Sequence, residues 1–221
     1  SSLSENQEYL TDLALWAGFY AFGKAEIIAD MIERCYKMGD LSSADALRVR
    51  FREAMLAADR FLDSNPLTRM ERWIGLARNL GSTEDEKDRF EINARRIVTT
   101  WGPGKEPDYL NDYSCRIWSG LIRDYYLPRC EHYFDSRAEG VRFDFDGWEY
   151  RYAEDMSGVS PSEQYDDLVQ AARDLVDRFS DIVMDEDELS GWNTFDIIKG
   201  TNMFSYMLYP SDYSALEGLR F

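Results

Sequence analysis

Apolar residues recur every three or four positions along most of this chain, which is the spacing that places them on one face of an α-helix. The first such stretch runs from about residue 7 to 37 and stops at Gly39-Asp40. A second starts after a polar N-cap at Ser42 or Ser43 and stops at Asn65. The pattern therefore predicts two long helices at the start of the chain.

Two further helices are expected before residue 101. One spans roughly 67–80, with Gly81 placed for the left-handed conformation that often ends a helix. Thr83 and Glu86 then have the spacing of a capping box, in which hydroxyl and carboxylate each accept a bond from the other residue's amide. This signal predicts a helix that continues to about Thr100.

The next predicted helix, about 108–135, has apolar and aromatic residues on several faces, which is typical of a helix packed on more than one side. Pro128 is expected to kink or end it, because proline lacks the amide hydrogen that a helix needs. The residues assigned to helix packing are Trp118, Leu121, Ile122, Tyr125 and Tyr126.

The pattern changes after Gly140. Residues 141–146 alternate like a short extended segment that Gly147 closes. Ser160-Pro161 with Glu163 then predicts a helix start, and that helix continues to about residue 180. Together these patterns predict an all-α, bundle-like domain over 1–155 with a helical extension over 156–221, including a helix near 195–208.

Composition excludes several classes of function. The 221 residues carry a net charge of −17 without a cluster of basic residues, so neither nucleic acid nor an anionic membrane surface is an expected partner. Three scattered cysteines lack the spacing of a zinc site, and His132 is the only histidine. No metal, cofactor or serine-histidine-aspartate triad is therefore predicted, and no apolar run is long enough to span a membrane.

Aromatic residues crowd the segment from 99 to 134, around a Trp-Gly-Pro turn. Trp101 precedes this turn and Tyr113 follows it, so both can face one loop. Indole and phenol rings stack on the apolar faces of sugars, and the phenol hydroxyl can bond to a sugar hydroxyl. Burial in the core is the commoner role for such residues, so the residues alone leave both interpretations open.

A spaced motif distinguishes these interpretations. The segments EINAR (91–95), TWG (100–102), LNDY (110–113) and WSGLIRDYYLPR (118–129) resemble the C-terminal helical domain of α-N-acetylglucosaminidases, glycoside hydrolase family 89. The likeness covers about residues 8–150. It departs from the family pattern at Ser114, where the family has Ala, and at Cys130, where it has Trp.

The resemblance implies a function for the loop. Trp101 and Tyr113 match family positions expected to face a terminal α-linked N-acetylglucosamine, with Asp112 orienting the loop and Arg129 paired to a carboxylate as structural support. The catalytic glutamates of the family belong to a preceding (β/α)8 barrel, so this chain is expected to contain no catalytic residue and to be inactive alone. An exported bacterial enzyme, periplasmic or extracellular, is the preferred source; an animal homologue would be lysosomal.

Two other hypotheses stay open at this point. The chain can be a non-catalytic helical module that binds carbohydrate or a protein directly, in which case it binds N-acetylglucosamine alone and loses that binding in Trp101→Ala. It can also be a helical scaffold whose aromatic residues are all core, which requires Trp101 and Tyr113 to be fully buried.

Overall fold

The computed structural model describes residues 5–101, 112, 114–159 and 161–183. These residues form seven α-helices and no β-strand, which confirms the all-α class. None of the helices within these ranges combines the length and the apolar character needed to cross a membrane. The predicted helix near 195–208 lies outside the described residues.

The first two helices form an antiparallel hairpin, α1 (Gln7–Met38) and α2 (Leu41–Asp63). Gly39 ends α1 in the left-handed conformation, with φ of 76°. The prediction of an N-cap at Ser42 or Ser43 was wrong: the side chain of Asp40 caps α2 by accepting a bond from the Ser43 amide. Because Gly39 reverses the chain in one residue, the next polar side chain already stands at the helix start.

Small residues let these two helices approach closely. A Cβ atom on Gly18 of α1 would lie 2.6 Å from Cγ of Leu62 on α2. The buried alanines along the two helices are Ala14, Ala17, Ala21, Ala25, Ala29, Ala44, Ala54 and Ala58. The hairpin forms the platform on which the rest of the chain packs.

Helices α3 (Met70–Arg78) and α4 (Glu84–Val98) follow and pack on each other. The predicted capping box at Thr83 and Glu86 is present. The expected left-handed Gly81 is not, because α3 ends before it. Gly81 instead allows a close approach, since a Cβ there would lie 2.6 Å from the backbone nitrogen of Lys87.

The predicted helix over 108–135 was wrong for residues 115–118, which have no regular structure, whereas residues 108–111 and 113 lie outside the described residues. The helical path includes a π-helical turn, Ile122–Tyr126, that leads into α5 (Leu127–Glu139). Pro128 does not end this path, which continues to Glu139. It lies directly after the π-helical turn, where the regular hydrogen-bond pattern is already interrupted.

Two elements differ from the predictions after Gly140. The expected extended segment 141–146 is helical from Phe145, where α6 (Phe145–Glu154) begins, and Asp144 caps it by accepting a bond from the Gly147 amide. Helix α7 (Leu168–Arg178) starts later than predicted, after an Asp167 cap, and packs against α1. In both cases an aspartate cap determines the start of the helix.

The packing residues of the aromatic segment lie where they were expected. Leu121, Ile122, Tyr125 and Tyr126 are buried in the core, and Trp118 is half-buried against it. The Tyr125 ring contacts Trp148 and Tyr152 of α6, and α2 packs against the π-turn.

Candidate functional site

The site predicted from the resemblance is centred on the segment after α4, of which both ends are described. The backbone amide of Trp101 donates to the Arg96 carbonyl at 2.6 Å, and that of Asp112 donates to the Thr99 carbonyl at 2.7 Å. Both ends are thus tied to the last turn of α4. Tyr113, the second predicted sugar-facing residue, lies outside the described residues.

The side chain of Trp101 is 40% exposed. This exposure excludes the hypothesis that it is a fully buried core residue. A partly exposed indole can stack on the apolar face of a sugar.

Backbone strain concentrates in the same segment. Within the described part of the chain, three non-glycine residues have positive φ: Trp101 at 63°, Asp112 at 58° and Cys115 at 48°. Each such residue costs about 1–3 kcal/mol and persists only where its surroundings hold it. Strain of this kind clusters at ligand-binding sites, and here it marks both ends of the predicted pocket loop.

A buried ionic network fixes Asp112, at the far end of this segment. Arg129 of α5 is fully buried, and its Nη2 donates to Oδ2 of Asp112 at 2.6 Å. Its Nη1 donates to the hydroxyl of Tyr125 at 2.7 Å and to the carboxylate of Glu149, which is also fully buried. One guanidinium therefore connects the loop to α5, to α6 and to the π-turn.

Aromatic rings enclose this network and keep water from it. The Arg129 guanidinium carbon lies 4.4 Å from the centre of the Tyr125 ring, an arrangement that favours the cation. The Tyr125 ring in turn contacts Trp148 and Tyr152 of α6, with centroid distances of 5.5 and 4.8 Å. Because few water molecules screen it, the attraction between Arg129 and its carboxylates is strong.

The network links Asp112 to α5 and α6. Asp112 and Glu149 both form ion pairs with the same guanidinium. The described ranges contain no group of three or more histidine, cysteine or acidic residues that could hold a metal ion. Burial raises the pKa of the Cys130 thiol, so this residue, at the position of the family's Trp, is an unreactive packing group.

Sequence reasoning missed Glu149 and the hydroxyl of Tyr125. Glu149 follows the segment that was predicted as extended, so no helical face was assigned to it. The signal was nevertheless present: Phe145, Trp148 and Tyr152 have the spacing of one helix face. This helical spacing, rather than the alternating pattern of residues 141–146, places Glu149 on the same helix face as the three aromatic residues.

Comparisons with known proteins identify the family of this chain. The family model described as the C-terminal domain of α-N-acetylglucosaminidase matches residues 1–178, which extends beyond the 8–150 that carry the motif likeness. Human α-N-acetylglucosaminidase is 36% identical over 95 residues, which are 41% of this chain and 12% of that protein.

Solved structures of a family 89 glycoside hydrolase from Clostridium perfringens have the same fold. Its complex with 2-acetamido-1,2-dideoxynojirmycin superimposes with a TM-score of 0.73 at 27% identity, covering 82% of this chain and 22% of that one. Its complex with the substrate GlcNAc-α-1,4-galactose gives a TM-score of 0.69 at 27% identity, with coverages of 79% and 22%. This chain thus spans less than a quarter of the length of these relatives.

Proposed function

Because this chain belongs to the family of α-N-acetylglucosaminidase C-terminal domains, we propose that it completes the substrate pocket of an exo-acting glycoside hydrolase. In this proposal Trp101 and Tyr113 form one wall of a pocket for terminal α-linked N-acetylglucosamine. The catalytic glutamates lie in a separate (β/α)8 domain, and the chain alone has no hydrolytic activity.

The observation that carries this proposal is the structure at the two ends of the segment after α4. At one end, Trp101 has a partly exposed indole and a strained, left-handed backbone. At the other end, the fully buried Arg129 fixes Asp112 by a hydrogen bond. A solvent-exposed tryptophan without a role needs no such support. A pocket wall needs it, because misplacing a binding group by about 1 Å can lower a rate a hundredfold.

The surface next to Trp101 supports docking of a catalytic domain. Phe90 and Ile97 are exposed on α4 at i and i+7, which places them along one face, and Trp101 follows shortly after the helix ends. Leu76 on α3, which packs on α4, and Leu80 just after α3 are also exposed. Apolar stripes of this kind mark interaction surfaces, and this one ends at the proposed pocket wall.

The proposal also covers the organisation of the chain. We take residues 1–155 as the domain and 156–221 as an extension packed on it. For the described part of the extension, Arg50 of α2 binds the Asp181 carboxylate at 2.6 and 2.7 Å, and Arg178 binds Glu53 at 2.6 Å. These ion pairs attach α7 and the residues after it to the helical hairpin.

Two measurements test the proposal against an independent sugar-binding module. The isolated chain should show no N-acetylglucosamine binding that depends on Trp101, as judged by titration of wild type and Trp101→Ala. Binding that Trp101→Ala abolishes would favour the module. The second measurement is the coding sequence preceding Ser1, which should encode a (β/α)8 pattern of about 300 residues or more. The absence of this pattern would overturn the enzyme assignment.

A further inference from the structure

A second concave site lies away from the Trp101 loop. It is a cleft of about 380 Å³ between the π-turn and the segment that follows α6, within the size range of small-molecule pockets. Neither Trp101 nor Asp112 nor Arg129 lines it. The residues that do are Arg95, Arg123, Asp124, Pro128, Tyr152, Asp155, Ser157, Gly158 and Val159.

One wall carries a rigid guanidinium with donors to spare. Arg95 is buried, its Nε and Nη2 donate to Oε1 of Glu91 at 3.0 and 2.8 Å, and Nη2 also donates to the Ser157 carbonyl at 2.8 Å. Its Nη1 has no hydrogen bond to any described residue. Since the other nitrogens fix the plane of the group, Nη1 presents two oriented N–H donors at no further entropic cost.

Tyr152 adds ring surface to the same wall. The residue lines the cleft and is only 9% exposed, and its hydroxyl, which has no hydrogen-bond partner among the described residues, is closed to solvent. A ligand in the cleft therefore contacts the Tyr152 side chain through its carbon atoms and not through the hydroxyl.

The other wall supplies acceptors. Both oxygens of Asp124, on the π-turn, accept bonds from Arg123 at 2.9 and 3.0 Å, and Oδ1 of Asp155 accepts from the Ser157 amide at 2.8 Å. That hydrogen bond holds the pKa of Asp155 below its usual value, so the carboxylate is ionised at neutral pH. Each carboxylate oxygen can accept more than one hydrogen bond, which leaves capacity for a ligand hydroxyl.

The charge balance of the cleft determines the kind of ligand. The residues that line the cleft carry two positive charges, on Arg95 and Arg123, and two negative charges, on Asp124 and Asp155. An anion would therefore gain no net attraction from the lining. A ligand with several hydroxyl groups fits better, because each hydroxyl accepts from one wall and donates to the other, while Pro128 and Val159 contact its apolar carbon atoms.

We propose that this cleft is a second binding site, independent of the proposed pocket wall, for a neutral polyhydroxylated ligand the size of a single sugar residue. The donor is Arg95 Nη1, the acceptors are the carboxylates of Asp124 and Asp155, and the Tyr152 ring contacts the carbon atoms of the ligand. The π-turn presents Asp124 to the cleft, in line with the frequent presence of such turns at functional sites.

The test is a titration of the whole 221-residue chain with glucose, galactose and N-acetylglucosamine, followed by the amide NMR signals of the residues lining the cleft. Binding is expected with a Kd on the order of 1 mM. Asp155→Asn should weaken it about three- to tenfold, because a neutral amide oxygen accepts a hydrogen bond more weakly than a carboxylate does. Tyr152→Phe is the control: the hydroxyl of Tyr152 is closed to solvent, so its removal should leave binding unchanged.

A second variant keeps the test decisive. Gly158 lines the cleft, and a Cβ atom added to it meets nothing within 4 Å, so Gly158→Leu should fold and abolish binding by occupying cleft space. Gly75→Leu, at a glycine with equally open surroundings, should bind normally. The proposal is overturned if no sugar binds, if neither Asp155→Asn nor Gly158→Leu weakens binding, or if inorganic phosphate or the free amino acid glycine binds and no sugar does. Loss of binding in Trp101→Ala alone would instead locate the sugar at the first site.

Discussion

Replacement of Arg129 by methionine tests the buried network that holds the loop. Arg129 and Glu149 are both 0% exposed, and the side chain of Asp112 is 12% exposed. Arg129→Met keeps most of the side-chain volume but leaves two buried or nearly buried carboxylates without their cation. Breaking a buried ion pair from one side costs about 3–5 kcal/mol, most of it from the uncompensated charge.

That loss is a large fraction of the 5–15 kcal/mol that typically stabilises a folded domain. For a domain of this size each kcal/mol lowers Tm by about 2–4 °C, so Arg129→Met should unfold about 6–20 °C below wild type. Urea unfolding followed by circular dichroism gives the free energy, and a thermal scan gives Tm.

Two further variants separate the network from a general effect of losing an arginine. Arg52 pairs with Glu131 on the surface, so Arg52→Met should cost less than about 1 kcal/mol. The double variant Arg129→Met with Glu149→Leu should recover at least about 2 kcal/mol relative to Arg129→Met, because one of the two carboxylates left without a cation, that of Glu149, is removed. If Arg129→Met costs no more than Arg52→Met, the buried network does not hold the loop and the reasoning fails.

Three smaller changes test other parts of the fold. Burial raises the pKa of Glu26 well above its usual 4.5, and its buried Oε1 accepts no hydrogen bond from the described residues. The ionised carboxylate of Glu26 therefore destabilises the folded chain. This destabilisation is fully present above the raised pKa and is relieved as pH falls toward 4.5. Glu26→Met should therefore stabilise the chain by about 1–3 kcal/mol near pH 7 and by less near pH 4 in urea unfolding, and an equal gain at both values would contradict the cause. Gly120 has φ of 82° and a Cβ there would lie 2.5 Å from Val159, so Gly120→Ala should lower stability by about 2–4 kcal/mol, with partial rescue by Val159→Ala in thermal scans; no rescue would exclude the clash. Thr83→Ala removes half of the capping box and should cost about 1 kcal/mol, whereas Thr83→Ser should cost little, and equal losses would show that the hydroxyl does not act as the cap.

Much of the fold follows from local signals in the sequence. The long helices α1 and α2 have strong apolar periodicity and clear ends, and the capping box before α4 is a purely local device. The differences arise where tertiary structure decides. Residues 115–118 are not helical although their composition allows it, and Phe145 starts a helix although the preceding residues alternate.

The candidate site was predictable only in part. The motif identified Trp101, Asp112 and Arg129, because aromatic, aspartate and arginine residues at fixed spacing are visible in the chain. The spacing around Glu149 indicated a helix face, but its pairing with Arg129 was not visible, since the two residues are 20 positions apart in sequence and meet through packing that no local pattern encodes. The left-handed backbone at Trp101 was equally inaccessible, because tryptophan, unlike glycine, asparagine or aspartate, gives no sequence signal for positive φ.

The most direct test of the central claim is hydrolysis of para-nitrophenyl α-N-acetylglucosaminide by the proposed full-length enzyme with and without Trp101. The account predicts that wild type is active and that Trp101→Ala lowers kcat/KM by at least about tenfold, with Tm unchanged because the indole is partly exposed. Trp16→Ala, at an exposed tryptophan of α1 outside the loop and α4, should keep wild-type activity. An inactive wild type, or a Trp101→Ala variant as active as the Trp16→Ala control, would contradict the account.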